Sequence, residues 1–488
     1  MENVNSVSKK ALIINLNDSI FGTFAEIGGG QETVRYFFRA GGASTTIAKS
    51  ISAYDKAFSD QIYNKGSKSR YVCEYRLKQM LKTEYSETIS IIENKQKENI
   101  NLFTFANTVE TINFQKNNRS HGWLGIRYHI NNQTSYNEVI LHINLLEKDA
   151  ILQQKTIGVI GVNLIYACFY YYDSPKTFLQ SLMDDLDSSR IQIDMIRMTG
   201  PDLNYIDNRL LAVQLVKEKM TPAALFDRHG QVQQPHDMLY RKNMMVFRGN
   251  FRPITYVGFN MLKSAYAIFK KDEDHNKLNT LALCEMTLNN LLEKDGEIDE
   301  RDFLDRVNIL NGMGQNVMVT NFKEYYKLVG FFSSFKIKNI RIVIGIPTFT
   351  KVLNEKYYKE LPGGILEAFG SLFIQNMKMY LYPTIDENDN IVTIDKLQFP
   401  EHINTLLKYL QQTRKIIQIT KVRKDFLGID SKEILYMIQN NISGWELKVP
   451  VYIEEYIKRN RLFCYEGDQK LINKKEREKI HCRKPSME

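Results

Sequence analysis

The sequence contains no H-E-x-x-H, no Cys-x-x-Cys and no G-x-S-x-G, which leaves zincin, thioredoxin-like and α/β-hydrolase chemistry without support. Its five cysteines, Cys73, Cys168, Cys284, Cys464 and Cys482, are odd in number and scattered. That pattern fits reduced thiols in a cytoplasmic protein rather than a disulfide framework or a metal cluster. No apolar run reaches the roughly 20 residues that a membrane span needs. The longest, Ile157 to Tyr171, is interrupted by Asn163 and reads as a buried strand. Met1 to Lys10 lacks the apolar core of a secretory signal. No short-period repeat is present, which excludes solenoids and propellers. The eight histidines do not cluster in sequence. His121, in the turn Ser120-His121-Gly122-Trp123, reads either as a neutral-pH acid or base or as a structural loop histidine.

What is present is a folded, sizeable chain. At 488 residues with 43% hydrophobic and 11% aromatic content, two or three domains of roughly 100–200 residues each are expected. The net charge of +9 hints at anionic ligands. Part of the excess lies in Lys470 to Lys484, which reads as a solvated, disordered tail or as an electrostatic contact surface. No interleaved aromatic motif of a nucleic-acid-binding module accompanies it.

The pattern of strands and helices predicts a multi-domain α/β protein with at least one mainly parallel sheet flanked by helices and a mostly helical C-terminal region. Segment boundaries are read as 1–150, 151–270, 271–400, a helical region 401–465 and a basic tail 466–488. The third is the clearest. Strands at Thr280 to Met286, Asn316 to Thr320, Ile340 to Ile346 and Met377 to Tyr382 alternate with helical patterns, which argues right-handed crossovers.

The most informative stretch is Phe21-Gly22-Thr23-Phe24-Ala25-Glu26-Ile27-Gly28-Gly29-Gly30. Read after a strand at Ala11 to Ile14 and before a helix from Glu32, it predicts a glycine-rich phosphate cradle. Gly22-Thr23-Phe24, Ile27 and Gly30 resemble the N-terminal signature G-G-T-F-D-P-I-H-x-G-H of nicotinate and nicotinamide mononucleotide adenylyltransferases. Gly28 and Gln31 stand where that signature has its two histidines. Taken whole, the chain is also similar to a group of bacterial proteins of comparable length. The resemblance implies adenylyl transfer from ATP, with Mg²⁺, to a pyridine mononucleotide. Gly22, Thr23, Gly28, Gly29 and Gly30 would then hold phosphate, and Arg248, Arg252 or Lys49 would replace the missing histidine charge.

Other candidates are read from residue chemistry. Ser44, Thr45, Thr46 and Lys49 pair hydroxyls with a cation on what reads as the next helical turn. Val246 to Pro253 carries Arg248 and Arg252 in one turn. It reads as a clamp for phosphate or carboxylate, or as a hairpin whose arginines are solvated or pair with nearby acids. Strand ends in the third segment supply Glu285, Asn289, Thr320, Asn321, Gly345 and Pro347. Glu285 and Asn321 are candidates for a sugar hydroxyl or Mg²⁺, or for local capping. Leu361 to Gly370 and Thr199-Gly200-Pro201-Asp202 read as further helix-start or turn positions. The expected function is binding of a nucleotide or phosphorylated small molecule. The alternatives are a non-catalytic nucleotide-responsive regulator or scaffold, and a different α/β enzyme with its pocket within 278–383.

Overall fold

In the computed structural model, residues 6–64, 69–93, 100–130, 135–272, 275–293 and 295–467 are described. The chain divides into two units, Met1–Ala224 and Leu225–Glu488. The basic tail lies outside the described residues. The architecture is mixed α/β, with parallel sheet regions flanked by helices and a helical C-terminal region.

The first unit contains β1 (Ile20–Gly28), β2 (Ile47–Ile51), β3 (Asn101–Glu110), β4 (His121–Tyr128), β5 (Asn137–Leu145) and β6 (Ile191–Thr199). They form one sheet in the order β2-β1-β3-β4-β5-β6. β1 runs parallel to β2 and β3, and the remaining neighbours are antiparallel. Its helices are α1 (Val7–Asn15), α2 (Thr33–Ala40), α3 (Lys56–Tyr63), α4 (Glu74–Glu93), α5 (Ala150–Tyr170), α6 (Pro175–Leu182) and α7 (Asn208–Lys217).

Two strand expectations fail here. Ala11 to Ile14 lies in α1, where Val7, Lys10, Ala11 and Ile14 form a buried stripe at helical spacing and Ser6 accepts from the Lys9 N–H. Ile157 to Tyr170 lies in α5, buried on nearly every side. A short apolar run carries no period that separates strand from helix, and a helix that is apolar all round belongs in a core. Asn163, which interrupts the run, is a tether. Its Oδ1 accepts from Lys10 Nζ at 2.9 Å, and its Nδ2 donates to the carbonyls of Leu182 and Asp184. The Lys10 ammonium is completed by Ser181 and by Asp184 Oδ2 at 2.7 Å, so one buried cation ties α1 to α5 and α6. Among the described residues, no helix is long and apolar enough to cross a membrane.

The second unit contains β7 (Ala223–Phe226), which spans the division, then β8 (Val232–Gln233), β9 (Asn243–Arg248), β10 (Thr280–Thr287), β11 (Asn316–Thr320), β12 (Asn339–Gly345) and β13 (Met377–Tyr382). The two-stranded ribbon β14 (Thr384–Ile385) and β15 (Ile391–Val392) and the strand β16 (Ile416–Gln418) follow. The sheet order is β16-β13-β12-β9-β10-β11-β7-β8. Every pairing from β16 through β11 is parallel. Helices α8 (Pro235–Leu239), α9 (Tyr256–Phe269), α10 (Glu300–Gly312), α11 (Tyr325–Ser333), α12 (Ile346–Val352) and α13 (Gly364–Leu372) alternate with the strands. Helices α14 (Glu401–Gln412), α15 (Lys424–Leu427), α16 (Ser431–Gln439) and α17 (Val451–Asn460) make up the helical end. In chain order from β9, the parallel strands therefore run 6-5-4-1-2-3, the doubly wound arrangement, with its reversal between β9 and β12.

Cys73, Cys168 and Cys284 are free and buried. Cys464 is disulfide-bonded, which corrects the reduced-thiol expectation at that position.

Gly161 of α5 shows what close helix packing requires, since a Cβ there would strike the side chain of Thr33 on α2. Gly161→Ala is expected to cost ~1–3 kcal/mol through overpacking. Gly370→Ala, on an exposed turn of α13 with open space around it, should gain up to ~1 kcal/mol from helix propensity. Denaturant titration of the two variants checks the opposite signs.

Candidate functional site

The first glycine stretch is mostly strand. Gly22 and Thr23 lie inside β1, not in a loop after it. A side chain at Gly22 would collide with the Phe103 ring on β3. Thr23 is fully buried and shares a 2.8 Å hydrogen bond with Thr88 of α4. Both are packed against protein side chains.

Gly28, Gly29 and Gly30 do turn the chain from β1 toward α2, as a phosphate cradle would. Gly28 has φ +72°, and side chains at the three positions would strike Val109, Thr111 and Asn107 respectively. The N-terminus of α2 is already filled from within. Glu26, buried at the end of β1, accepts from the Thr33 N–H and the Val34 N–H, both at 3.1 Å, and from Asn107 Nδ2 at 2.9 Å. Asn107 also donates to the Gly30 carbonyl at 2.8 Å. An internal carboxylate occupies the place where a bound anion would sit.

The remaining candidates of this unit fall elsewhere. Ser44 and Thr45 are exposed on a short 3-10 turn, and Lys49 lies on the edge strand β2 instead of a helix. Lys49 Nζ is held by Glu84 at 2.5 Å and Glu87 at 2.8 Å. Asp202 accepts from Asn137 Nδ2 at 2.8 Å, which fixes the turn after β6. Two of the histidines, far apart in sequence, meet in the sheet. His121 Nδ1 lies 3.0 Å from His142 Nε2, and His142 Nδ1 lies 2.5 Å from Asp194 Oδ1. Burial pushes the Asp194 carboxyl up, but the His142 ring and the Asn144 amide outweigh it and hold it below the usual carboxylate range. Antiparallel register, not spacing, creates this chain: Trp123 pairs with His142, and Asp194 sits at the register shift of β5 on β6.

In the second unit, chemistry-bearing residues gather at the carboxyl edge of the parallel strands. Arg248 ends β9, and its Cα partner on β10 is Glu285. Glu285 is fully buried. It accepts from Arg248 Nε at 2.5 Å, from Arg248 Nη2 at 3.0 Å and from Thr320 Oγ1 at 2.5 Å. Arg248 Nη1 also donates to the Lys323 carbonyl at 2.9 Å, and the guanidinium lies 4.5 Å from the centre of the Tyr325 ring. Three of the five guanidinium N–H groups are thereby committed, and the fork is fixed in place.

Glu285 was a candidate ligand for Mg²⁺ or a sugar hydroxyl. Its oxygens are taken by Arg248 and Thr320, so it is a holder of the arginine and does not fit a metal ligand. Asn321 is exposed beside Thr320. Among the described residues, no group of three or more His, Cys, Asp or Glu is arranged to hold a metal.

The turn carrying Arg248 and Arg252 is the β9–α9 crossover connection, not a hairpin. The two arginines engage different acids: Arg248 pairs with Glu285, whereas Arg252 Nε lies 2.5 Å from Asp302 on α10. The Gly249 N–H donates to the Glu285 carbonyl at 3.0 Å, and Phe251, buried, takes φ +51°. Arg306, which no motif marks in the sequence, holds the connection from α10. Its Nη1 donates to the carbonyls of Asn290 at 2.9 Å and Asn250 at 3.4 Å. Helix α9, directly after this connection, starts without a side-chain cap, as does α11 after β11. The start of α13 at Gly363-Gly364 is closed locally, where the Gly363 N–H donates to Glu367 at 2.8 Å.

No protein-family model matches the chain, and no curated protein does. Among solved structures it is similar to the competence/damage inducible protein CihA from Agrobacterium tumefaciens. That match has 13% identity over 34% of this chain and 94% of that one, with a TM-score of 0.24. A competence-damaged protein (CinA) superfamily protein from Escherichia coli matches at 13% identity over 37% and 93%, with a TM-score of 0.23. At these scores the likeness carries no conclusion about function.

Burial pushes the Glu26 carboxyl up to about 7, against the N–H donors of Thr33, Val34 and Asn107 that pull it down. A carboxyl raised in the folded state favours folding below its unfolded value near 4.5 and loses that contribution as pH rises through about 7. Thermal unfolding of the full chain should therefore show stability declining between these values. Glu26→Gln, which mimics the protonated group, should flatten the decline.

Proposed function

We propose that the second unit binds a nucleotide or another phosphorylated small molecule at the carboxyl edge of its sheet, across the reversal between β9 and β12. The carrying observation is the strand order itself. Connections on the two sides of such a reversal leave opposite faces of the sheet and part a crevice between them. Arg248 ends the strand on one side of it. The uncommitted N–H groups of its guanidinium offer a fixed donor pair for a phosphate oxygen. The uncapped first turn of α9 adds backbone N–H groups close in sequence to the same arginine.

Adenylyl transfer from ATP, which the N-terminal resemblance implies, would need the triphosphate at Gly28 to Gly30. Glu26 already satisfies that helix N-terminus, and Gly22 and Thr23 are strand residues. The proposal therefore takes nucleotide binding from that resemblance and moves it to the second unit. It assigns no transfer step and no Mg²⁺ ligand.

Calorimetric titration of the full chain with ATP, ADP and AMP tests the reading. Arg248→Lys keeps a cation opposite Glu285 but loses the planar fork, and should weaken binding about tenfold or more, the equivalent of ~1.4 kcal/mol. Thr23→Val in the first unit should leave affinity unchanged. Binding lost in Thr23→Val and kept in Arg248→Lys would place the site in the first unit and overturn the reading.

A further inference from the structure

We propose that Asp194, His142 and His121 form a proton relay in the first unit, with His121 as a general base toward water or a hydroxyl group. The proposal concerns the first unit alone and is independent of the nucleotide reading above.

The geometry sets the tautomers. Against the push of burial, His142 and Asn144 keep the Asp194 carboxyl ionised. An ionised carboxylate only accepts, so its 2.5 Å contact puts a proton on His142 Nδ1. A neutral His142 then has its lone pair at Nε2, and the 3.0 Å contact puts a proton on His121 Nδ1. The lone pair of a neutral His121 is thereby fixed at Nε2, on the far side of the ring. Asp194 is itself held in place: its second oxygen accepts from Asn144 Nδ2 at 2.8 Å, and Arg119 Nη2 fixes the Asn144 amide at 2.6 Å.

This order makes His121 a stronger base than an isolated imidazole. A proton taken from an O–H group arrives at His121 Nε2. The Nδ1 proton passes to His142 Nε2, and the positive charge comes to rest on His142 beside the Asp194 carboxylate. The reverse sequence returns a proton to a leaving group. The relay also runs from the interior outward. The Asp194 and His142 side chains are 4% and 1% exposed, Trp123 packs edge-on against His142 at 4.8 Å, and His121 is half-buried. A buried Asp–His pair that only fills a core needs no second imidazole beyond it.

Placement agrees with a chemical role. His121 pairs with Glu110, the last residue of β3, and Gly28, the last of β1, pairs with Val109. His121 therefore stands at the carboxyl end of the two parallel strands, the end at which α/β sheets hold their reactive groups. His142 and Asp194 act through His121 as positioning residues.

Two measurements on the full chain test the relay. The first is the rate of modification of each histidine by diethyl pyrocarbonate at neutral pH, read by peptide mass spectrometry. His121 should react about tenfold or more faster than His229 and His402, which are exposed and lie outside the first unit. Asp194→Asn offers an amide N–H to His142 Nδ1 and reverses both tautomers, so His121 should fall to or below the rate of the two controls while theirs stay unchanged. Circular dichroism checks that the variant folds. The second is hydrolysis of p-nitrophenyl acetate, in which His121 Nε2 takes the proton of the attacking water as the ester C–O bond breaks and p-nitrophenolate leaves. His121→Gln should abolish this hydrolysis, and Asp194→Asn should slow it about tenfold or more. A His121 no more reactive than the controls, or unaffected by Asp194→Asn, overturns the relay. No hydrolysis by the wild-type protein, or hydrolysis unchanged in His121→Gln, overturns the role of His121 as a general base.

Discussion

A carboxylate taken out of water must be met by fixed donors or positive charge, because its desolvation is worth several kcal/mol. Each unit of this protein buries one at the carboxyl end of a parallel strand, and the two solutions differ. Glu26 is met by backbone N–H groups at the start of α2 and by an asparagine amide. Glu285 is met by an arginine and a threonine hydroxyl. The first solution consumes a helix N-terminus and closes it. The second consumes part of a guanidinium and holds the rest of that group at the sheet edge. The second edge is the one proposed to bind a ligand.

Much of the second unit is legible in the sequence. Short apolar strands at β10, β11, β12 and β13, separated by helical patterns, point to a parallel sheet, and Arg248 and Glu285 stand at its strand ends. Their pairing is not legible, since it depends on β9 and β10 being neighbours in register. Arg306 has no motif around it, and only the turn of α10 brings it to Asn250 and Asn290. In the first unit, Ala11 to Ile14 and Ile157 to Tyr171 read as strands because an apolar run carries no period of its own that separates strand from helix. The burial stripe in α1 and the polar tether Asn163 in α5 are tertiary facts.

The glycines carry a related lesson. Gly22, Gly29 and Gly30 match a phosphate-binding pattern, yet each stands where a side chain from β3 or the residue just after it leaves no room for a Cβ. Close approach of protein to protein and close approach of protein to ligand select the same residue. The pattern alone does not separate the two, and the occupant of the space beside each glycine does.

The β9–α9 connection is fastened at several points: by the Gly249 N–H to β10, by the Asn250 carbonyl to Arg306, by Arg252 to Asp302, and by the buried ring of Phe251. A loop fastened this way has already lost its conformational freedom when the unit folds. A molecule arriving there need not order it, so little of the interaction free energy is offset by lost loop entropy. For the ligand proposed at this edge, affinity would be set by fit and charge, with recognition close to rigid-body docking.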